Sequence, residues 1–216
     1  MGDPGKSRRA YKGPRHPWEG WRIEAERPIK KDYGLKNKKE IWKAKSELKR
    51  ITSQVKSLIR EKNKGSQQAL REEKQLLDRL VRYGLVSTGI ELADVLSLEL
   101  NDILNRRLQT LVYRKSMALT PKQSRQFIVH GHISIKGNKV CVPSYLVSKE
   151  EEDLISFNSN STISSEEHPE RVKRLKAQEA AKNKAKIEKT EAKIEGELTE
   201  EELKRIEAEV GEVVAE

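Results

Sequence analysis

The chain has 216 residues, with 44 Lys/Arg against 34 Asp/Glu and a formal net charge of +10. Its hydrophobic share is 35% and its aromatic share 5%, below the roughly 45–50% apolar content of an ordinary compact domain, so a modest core with solvated or partner-bound segments is expected. No run of about 18 apolar residues is present, which argues against a transmembrane helix, and Met1 to Lys6 leads into further charge rather than an apolar stretch, so no secretory signal is expected.

Residues 1–64 hold 20 Lys/Arg against 8 Asp/Glu, residues 65–156 hold 13 against 11, and residues 157–216 hold 11 against 15. A basic N-terminal third on a near-neutral middle reads as a polyanion-binding surface. Nucleic acid is favoured over a membrane, because no segment sets Trp, Leu or Phe opposite a basic face. Residues 1–37 carry Pro4, Gly5, Gly13, Pro14, Pro17, Gly20, Pro28 and Gly34 without a helical repeat, and are expected to form an extended basic arm. Basic residues alternate with rings there: Arg8, Arg9, Tyr11, Arg15, Trp18, Trp21 and Arg22. Cations neutralise phosphates and rings stack on unstacked bases. Trp18 and Trp21 either do this or staple the arm to a core.

From Lys38 the pattern turns helical, with Ile41, Ala44, Leu48, Ile51, Val55 and Leu58 on one stripe. Asn63-Lys64-Gly65-Ser66 breaks it, Ser66 is the expected N-cap, and a second helix carries Leu70, Leu76, Leu77, Leu80 and Val81 until Tyr83-Gly84. Together they predict an αα-hairpin within a helical region, 38–102. Lys43, Lys49 and Arg50 stand on the other faces of the first helix with few acids to offset them, so RNA contact is expected of them.

Residues 103–156 form the next expected unit. Ile103, Leu104, Leu108, Leu111 and Val112 line one side of a helix whose other side shows Arg106, Arg107, Gln109, Arg114 and Lys115. Thr120-Pro121-Lys122-Gln123 is a capping box with proline at the first helical position. The helix it starts ends at His130-Gly131. Ile133 and Ile135 then alternate toward Gly137-Asn138, and Val140 and Val142 beyond it, which predicts a two-residue β-hairpin stopped by Pro143. Helix, helix and hairpin make a compact unit, and the fold class is α+β, mainly helical. A polar stretch, 157–168, reads as a linker and 169–216 as a charged helical tail. Residues 190–216 hold 10 acids against 3 bases, so RNA would repel them. The single cysteine, Cys141, cannot close an internal disulfide and suits a reducing cytoplasm. With four His beside it, soft ligands are too few for a structural zinc site, and no metal or cofactor is expected.

The runs Arg106-Arg107-Leu108-Gln109-Thr110, Gln123-Ser124-Arg125-Gln126, His130-Gly131-His132-Ile133 and Pro143-Ser144-Tyr145 resemble the RNA-binding domain of the S-four family, of the alpha-L type. His16-Pro17-Trp18, Tyr33 to Glu40 and Asp94-Val95-Leu96-Ser97-Leu98 resemble the archaeal branch of the small-subunit ribosomal proteins of that family, and the likeness spans about residues 1–170. The resemblance implies a structural protein, not an enzyme, that binds the 5′ domain of small-subunit rRNA as a primary binder. It implies further that the protein nucleates assembly of the subunit body and contributes to translational accuracy. Implied partners are this rRNA, ribosomal protein S-five, neighbouring small-subunit proteins and mRNA where it enters the subunit; no membrane or small-molecule substrate is implied. Carried over by position, the RNA face includes Arg106, Arg107, Lys115, Lys122, Gln123, Arg125, Gln126, His130, His132 and Lys136. Arg106 and Arg107 either face RNA or pair with Asp102 or Glu99, and His130 either faces RNA or satisfies a backbone group. Many bacterial members hold their N-terminal region on a four-cysteine zinc site; this chain has no cysteine before Cys141, so that site is not expected. The alternative is a free-standing S-four-domain RNA chaperone or ribosome-rescue factor, which would lack the basic arm and first helix pair.

Overall fold

The computed structural model describes Gly5, Arg9, 11–165 and 167–176. The chain divides at Ser165 into two units. In the second, 169–176 are helical; the rest of the charged tail, 177–216, lies outside the described residues, as does Arg8.

The first unit is mainly helical, with one small sheet: α1 (Gly20–Asp32), α2 (Lys38–Lys62), α3 (Gln67–Arg82), α4 (Leu92–Val95), α5 (Leu100–Asn105), α6 (Leu108–Arg114), α7 (Pro121–Val129), β1 (Ile133–Ile135), β2 (Asn138–Lys139), α8 (Lys149–Glu152) and β3 (Ile155–Phe157). The expected α+β class is what the structure shows. The αα-hairpin is α2 and α3, and its apolar seam splits between two cores. Ile51, Val55 and Leu58 pack with Ala69, Leu76, Leu80, Leu92 and Val95. Ile41 and Ala44 instead join Leu35, Ile103 and Leu104 in a second cluster, which bridges α2 to α5. Leu70 is 51% exposed; Ala69, one position away, makes the contact, because the short side chain lets α3 lie close on α2. Ser66 holds the N-cap position of α3 without a side-chain cap bond.

The arm is not extended throughout, since Gly20–Asp32 is helical and passes through Pro28. An interior proline costs about 3 kcal/mol of helix stability, and few of the helix's own side chains are apolar. A buried carboxylate anchors it, and Ile29 packs against the cluster that bridges α2 to α5. Glu26 is 9% exposed and binds Arg22 at 3.1 Å, Lys38 at 3.3 Å and the Trp42 Nε1–H at 3.0 Å. A polar anchor of this kind leaves no periodic trace in the sequence.

The stretch expected as one helix from Ile103 to Val112 is two. Arg107 takes an extended ψ of 141° as the N-cap of α6 and forms an isolated antiparallel bridge with Leu146. The break lets Leu108 N–H donate to the Tyr145 carbonyl at 2.8 Å and Val147 N–H to the Arg106 carbonyl at 3.1 Å. It also sends the two halves of the stripe to different cores: Ile103 and Leu104 to the bridging cluster, Leu108, Leu111 and Val112 to the third.

That third core is closed by a three-stranded antiparallel sheet in the order β2-β1-β3. The hairpin turn is Lys136-Gly137, with φ of 52° and 79° and Ile135 opposite Asn138, one residue earlier than the sequence pattern indicates. Two consecutive positive φ values define the type I′ turn whose twist matches a hairpin. Strand β3 and Ile163, which is 7% exposed in this core, lie at the end of the expected unit and in the expected linker. The segment from Asn158 to Ser165 is therefore part of the fold. Its one branched apolar residue is buried, Asn158 N–H donates to the His132 carbonyl at 2.8 Å, and Ser161 Oγ meets His132 Nδ1 at 2.7 Å.

Candidate nucleic-acid interface

The sequence places α7 well. Thr120 Oγ1 accepts from the Gln123 N–H at 3.2 Å, and Gln123 Oε1 reaches one residue past the cap to accept from Leu119 N–H at 2.8 Å. Lys122, Gln126 and His130 are four residues apart along this helix, so they share one face, and all three are exposed. The His130 ring lies against His132, centroids 6.2 Å apart and nearly parallel. Lys136 is exposed on the turn, 3.8 Å from Glu151. Lys115 is half-buried, 3.6 Å from Asp153.

Other expected contacts lie inside. Arg107 is 5% exposed, and its Nη2 donates to Glu40 Oε2 at 2.6 Å. Arg125 meets the same carboxylate at 3.0 Å. Burial by itself raises the pKa of Glu40, but the two guanidiniums outweigh it and hold the carboxyl below its ordinary value. Arg106 donates to Glu152 at 2.7 Å and to the Val147 carbonyl at 3.1 Å. Both arginines are thus ion-paired, though with Glu40 and Glu152 rather than with Asp102 or Glu99, and they do not project freely from an apolar stripe. The tight bend between α5 and α6 turns them to opposite partners.

Beside this pair lies Gln109, 1% exposed. Its Nε2 donates to the carbonyls of Tyr33, Gly34 and Pro121 at 2.9–3.1 Å, tying the end of α1 to the start of α7. Gly34 allows the approach: its φ is +57°, and an added Cβ would stand 2.7 Å from Pro121 Cβ. The sequence lists Gln109 among exposed residues, because amide bonds to distant carbonyls carry no local signal. Glu40, Glu152, Glu26 and Trp42 were missed for the same reason.

On the N-terminal side the open question about the tryptophans is resolved by exposure. Trp18 is 90% and Trp21 72% exposed, so neither is a staple. Trp42 takes that role, bonded to Glu26 and with the Tyr11 ring centroid 6.4 Å away. Arg22 is engaged by Glu26 and by the carbonyls of His16 and Pro17, an anchor rather than a free cation. Arg9, Arg15, Lys43, Lys49 and Arg50 are exposed, Arg50 being paired with Glu47. Lys49 and Lys45 line a cleft of about 280 Å³ together with Lys12 and Arg15 from the arm. Lys43 lines a second cleft with Arg107 and Arg125.

Residues 106–153 match the S4 domain family, the span that holds α6, α7, the hairpin and α8. Over longer stretches the chain is similar to proteins named small ribosomal subunit protein uS4. It is 51% identical to that of Methanococcus aeolicus over 177 residues, 82% of this chain and 98% of the relative. It is 48% identical to that of a Methanococcus maripaludis strain over 173 residues, 80% of this chain and 96% of the relative. To that of Thermoplasma volcanium it is 42% identical over 200 residues, 93% of this chain and all of the relative. At such identity across nearly the whole length of each relative, the chain belongs to the uS4 family of small ribosomal subunit proteins.

Proposed function

We propose that the chain is a structural protein of the small ribosomal subunit that binds small-subunit rRNA directly, nucleates assembly of the subunit body and contributes to translational accuracy. The observation that carries this reading is the exposed polar face of α7, Lys122, Gln126 and His130, within an S4 domain on a chain whose relatives are small-subunit proteins. A folded rRNA junction offers dense phosphate, shallow grooves and displaced bases, which proteins read mostly by shape and backbone contact. A rigid platform suits that task, and the Glu40 and Gln109 bonds supply it by fixing α7 against α2 and the end of α1.

In this reading 38–102 is a helical domain and 103–156, completed by the packed segment 157–165, the RNA-binding domain. Lys122, Gln123, Arg125, Gln126, His130, His132 and Lys136 form one part of the RNA face. Arg9, Arg15, Trp18, Trp21, Lys43, Lys49 and Arg50 form the other. Lys115 lies at the margin of the first. The role is structural rather than catalytic, in the cytoplasm. Contacts with ribosomal protein S-five and with mRNA where it enters the subunit belong to the same proposal.

The test is competition between the 5′ domain of archaeal 16S rRNA and an unrelated structured RNA across a salt series, because a chain of charge +10 binds most RNA at low salt. A preference of about a hundredfold or more near physiological salt supports a primary rRNA binder. Equal competition with a steep salt slope for both RNAs points to a general RNA chaperone instead.

A further inference from the structure

Between α2 and the S4 domain lies an open cleft of about 320 Å³. That volume is near the lower bound of small-ligand sites, roughly 300–1,000 Å³, which suits a single planar group and its substituents. Its walls are of two kinds: Ala44, Ile103 and Pro143 are apolar, while Lys43, Arg107 and Arg125 are cationic. Two carboxylates also line it and both are already engaged, Glu40 by two guanidiniums and Glu47 by Arg50.

Donors are left over. Arg107 is 5% exposed, yet its Nε is buried without a hydrogen-bond partner and only its Nη2 is bound to Glu40. A buried donor in this condition is unfavourable until an acceptor arrives. Arg125 uses Nη1 for Glu40 and Gln109, while Lys43 is exposed and makes no ion pair among the described residues. The cleft thus combines an apolar wall, one buried donor that lacks an acceptor, and two cations at its side.

We propose that this cleft holds one unstacked nucleotide of the bound RNA. The base lies against the apolar wall, a turn of the Arg107 side chain brings its Nε to an acceptor on the base, and the phosphate lies on Lys43 and Arg125. The proposal rests on the RNA-binding reading above and adds that the two parts of the RNA face meet at a single base pocket. Arg107, expected from the sequence as an RNA contact, then meets RNA from inside this cleft rather than from an open face.

The test uses the full chain bound to the 5′ domain RNA, irradiated to form zero-length crosslinks, digested and mapped by mass spectrometry. A one-nucleotide adduct on Lys43 or on 143–146 is expected. In parallel, Ser144→Tyr, at an exposed position of the cleft lining, fills the space without removing a member of an ion pair; it should weaken RNA binding about tenfold with an unchanged melting temperature. Thr88→Tyr, on an exposed loop elsewhere, is the control for added bulk and should change affinity less than about twofold. Adducts confined to other segments, with Ser144→Tyr binding as well as Thr88→Tyr, overturn the proposal while leaving RNA binding intact. Absence of any RNA binding by the unaltered chain overturns the broader reading and this one with it. Should Ser144→Tyr lower the melting temperature, Lys43→Ala decides: a loss beyond about threefold supports the pocket and no loss overturns it.

Discussion

Replacing Glu40 by alanine removes the carboxylate shared by Arg107 and Arg125. The side chains of Glu40 and Arg107 are 15% and 6% exposed and meet at 2.6 Å, so this is a largely buried, charge-assisted pair rather than a surface one. Deleting one partner of such a pair typically costs about 3–5 kcal/mol, since the other charge stays buried and uncompensated. For a chain of this size roughly 2–4 °C of melting temperature is lost per kcal/mol, so Glu40→Ala should melt about 6–20 °C lower. Urea denaturation of the full chain is the assay, run with Glu40→Ala, Arg107→Met and the double variant as a cycle. The double variant should be more stable than the sum of the single losses implies, because removing both charges leaves nothing unpaired. A cost below about 1 kcal/mol for Glu40→Ala, the range of exposed pairs, would falsify the claim that this bond locks the RNA-binding domain onto α2.

Gly34→Ala forces a residue with φ of +57° to carry a Cβ that would meet Pro121 Cβ at 2.7 Å; a loss of about 2 kcal/mol or more in urea denaturation is expected. The Arg106→Ala, Arg107→Ala double variant should fall by several °C in thermal melting, because it leaves Glu152 and Glu40 without their arginines; unchanged melting with weaker RNA binding would mean that both project freely after all. Glu40, Glu26 and Glu151 all have carboxyl pKa values held below the ordinary value of 4.5. Their depressed folded-state values contribute stability that is complete above the unfolded value and is lost as pH falls through the folded one. Thermal melting should therefore be steady just above pH 5 and drop through about pH 4 and below, with Glu40→Gln losing less on acidification than the unaltered chain.

Periodicity and end signals carried the local structure. The stripe from Ile41 to Leu58 gave α2, Thr120-Pro121 gave the start of α7, and His130-Gly131 gave its end, because each reports on a face or a terminus within a few residues. The motif runs around Arg106, Gln123 and His130 likewise mark the S4 domain in the sequence itself. Helix α1 escaped notice because a buried Glu26 and the lone packed Ile29, rather than a repeating apolar stripe, fix it. The split at Arg107 and the added strand β3 escaped because backbone pairing with residues far along the chain overrode local helix preference.

The sequence alone determined that the chain is basic at one end, mainly helical, and built around a helix-helix-hairpin unit of a recognisable family. Tertiary structure decided which cations are free. Arg106, Arg107 and Arg22 look no different in the sequence from Lys122 or Arg15, yet the first three are held by carboxylates or carbonyls and the last two face solvent. Glu40 and Arg107 are 67 positions apart, and only the packing of Ile41 and Ala44 against Ile103 and Leu104 brings them to 2.6 Å. An ion pair made by long-range packing has no period for a sequence to display.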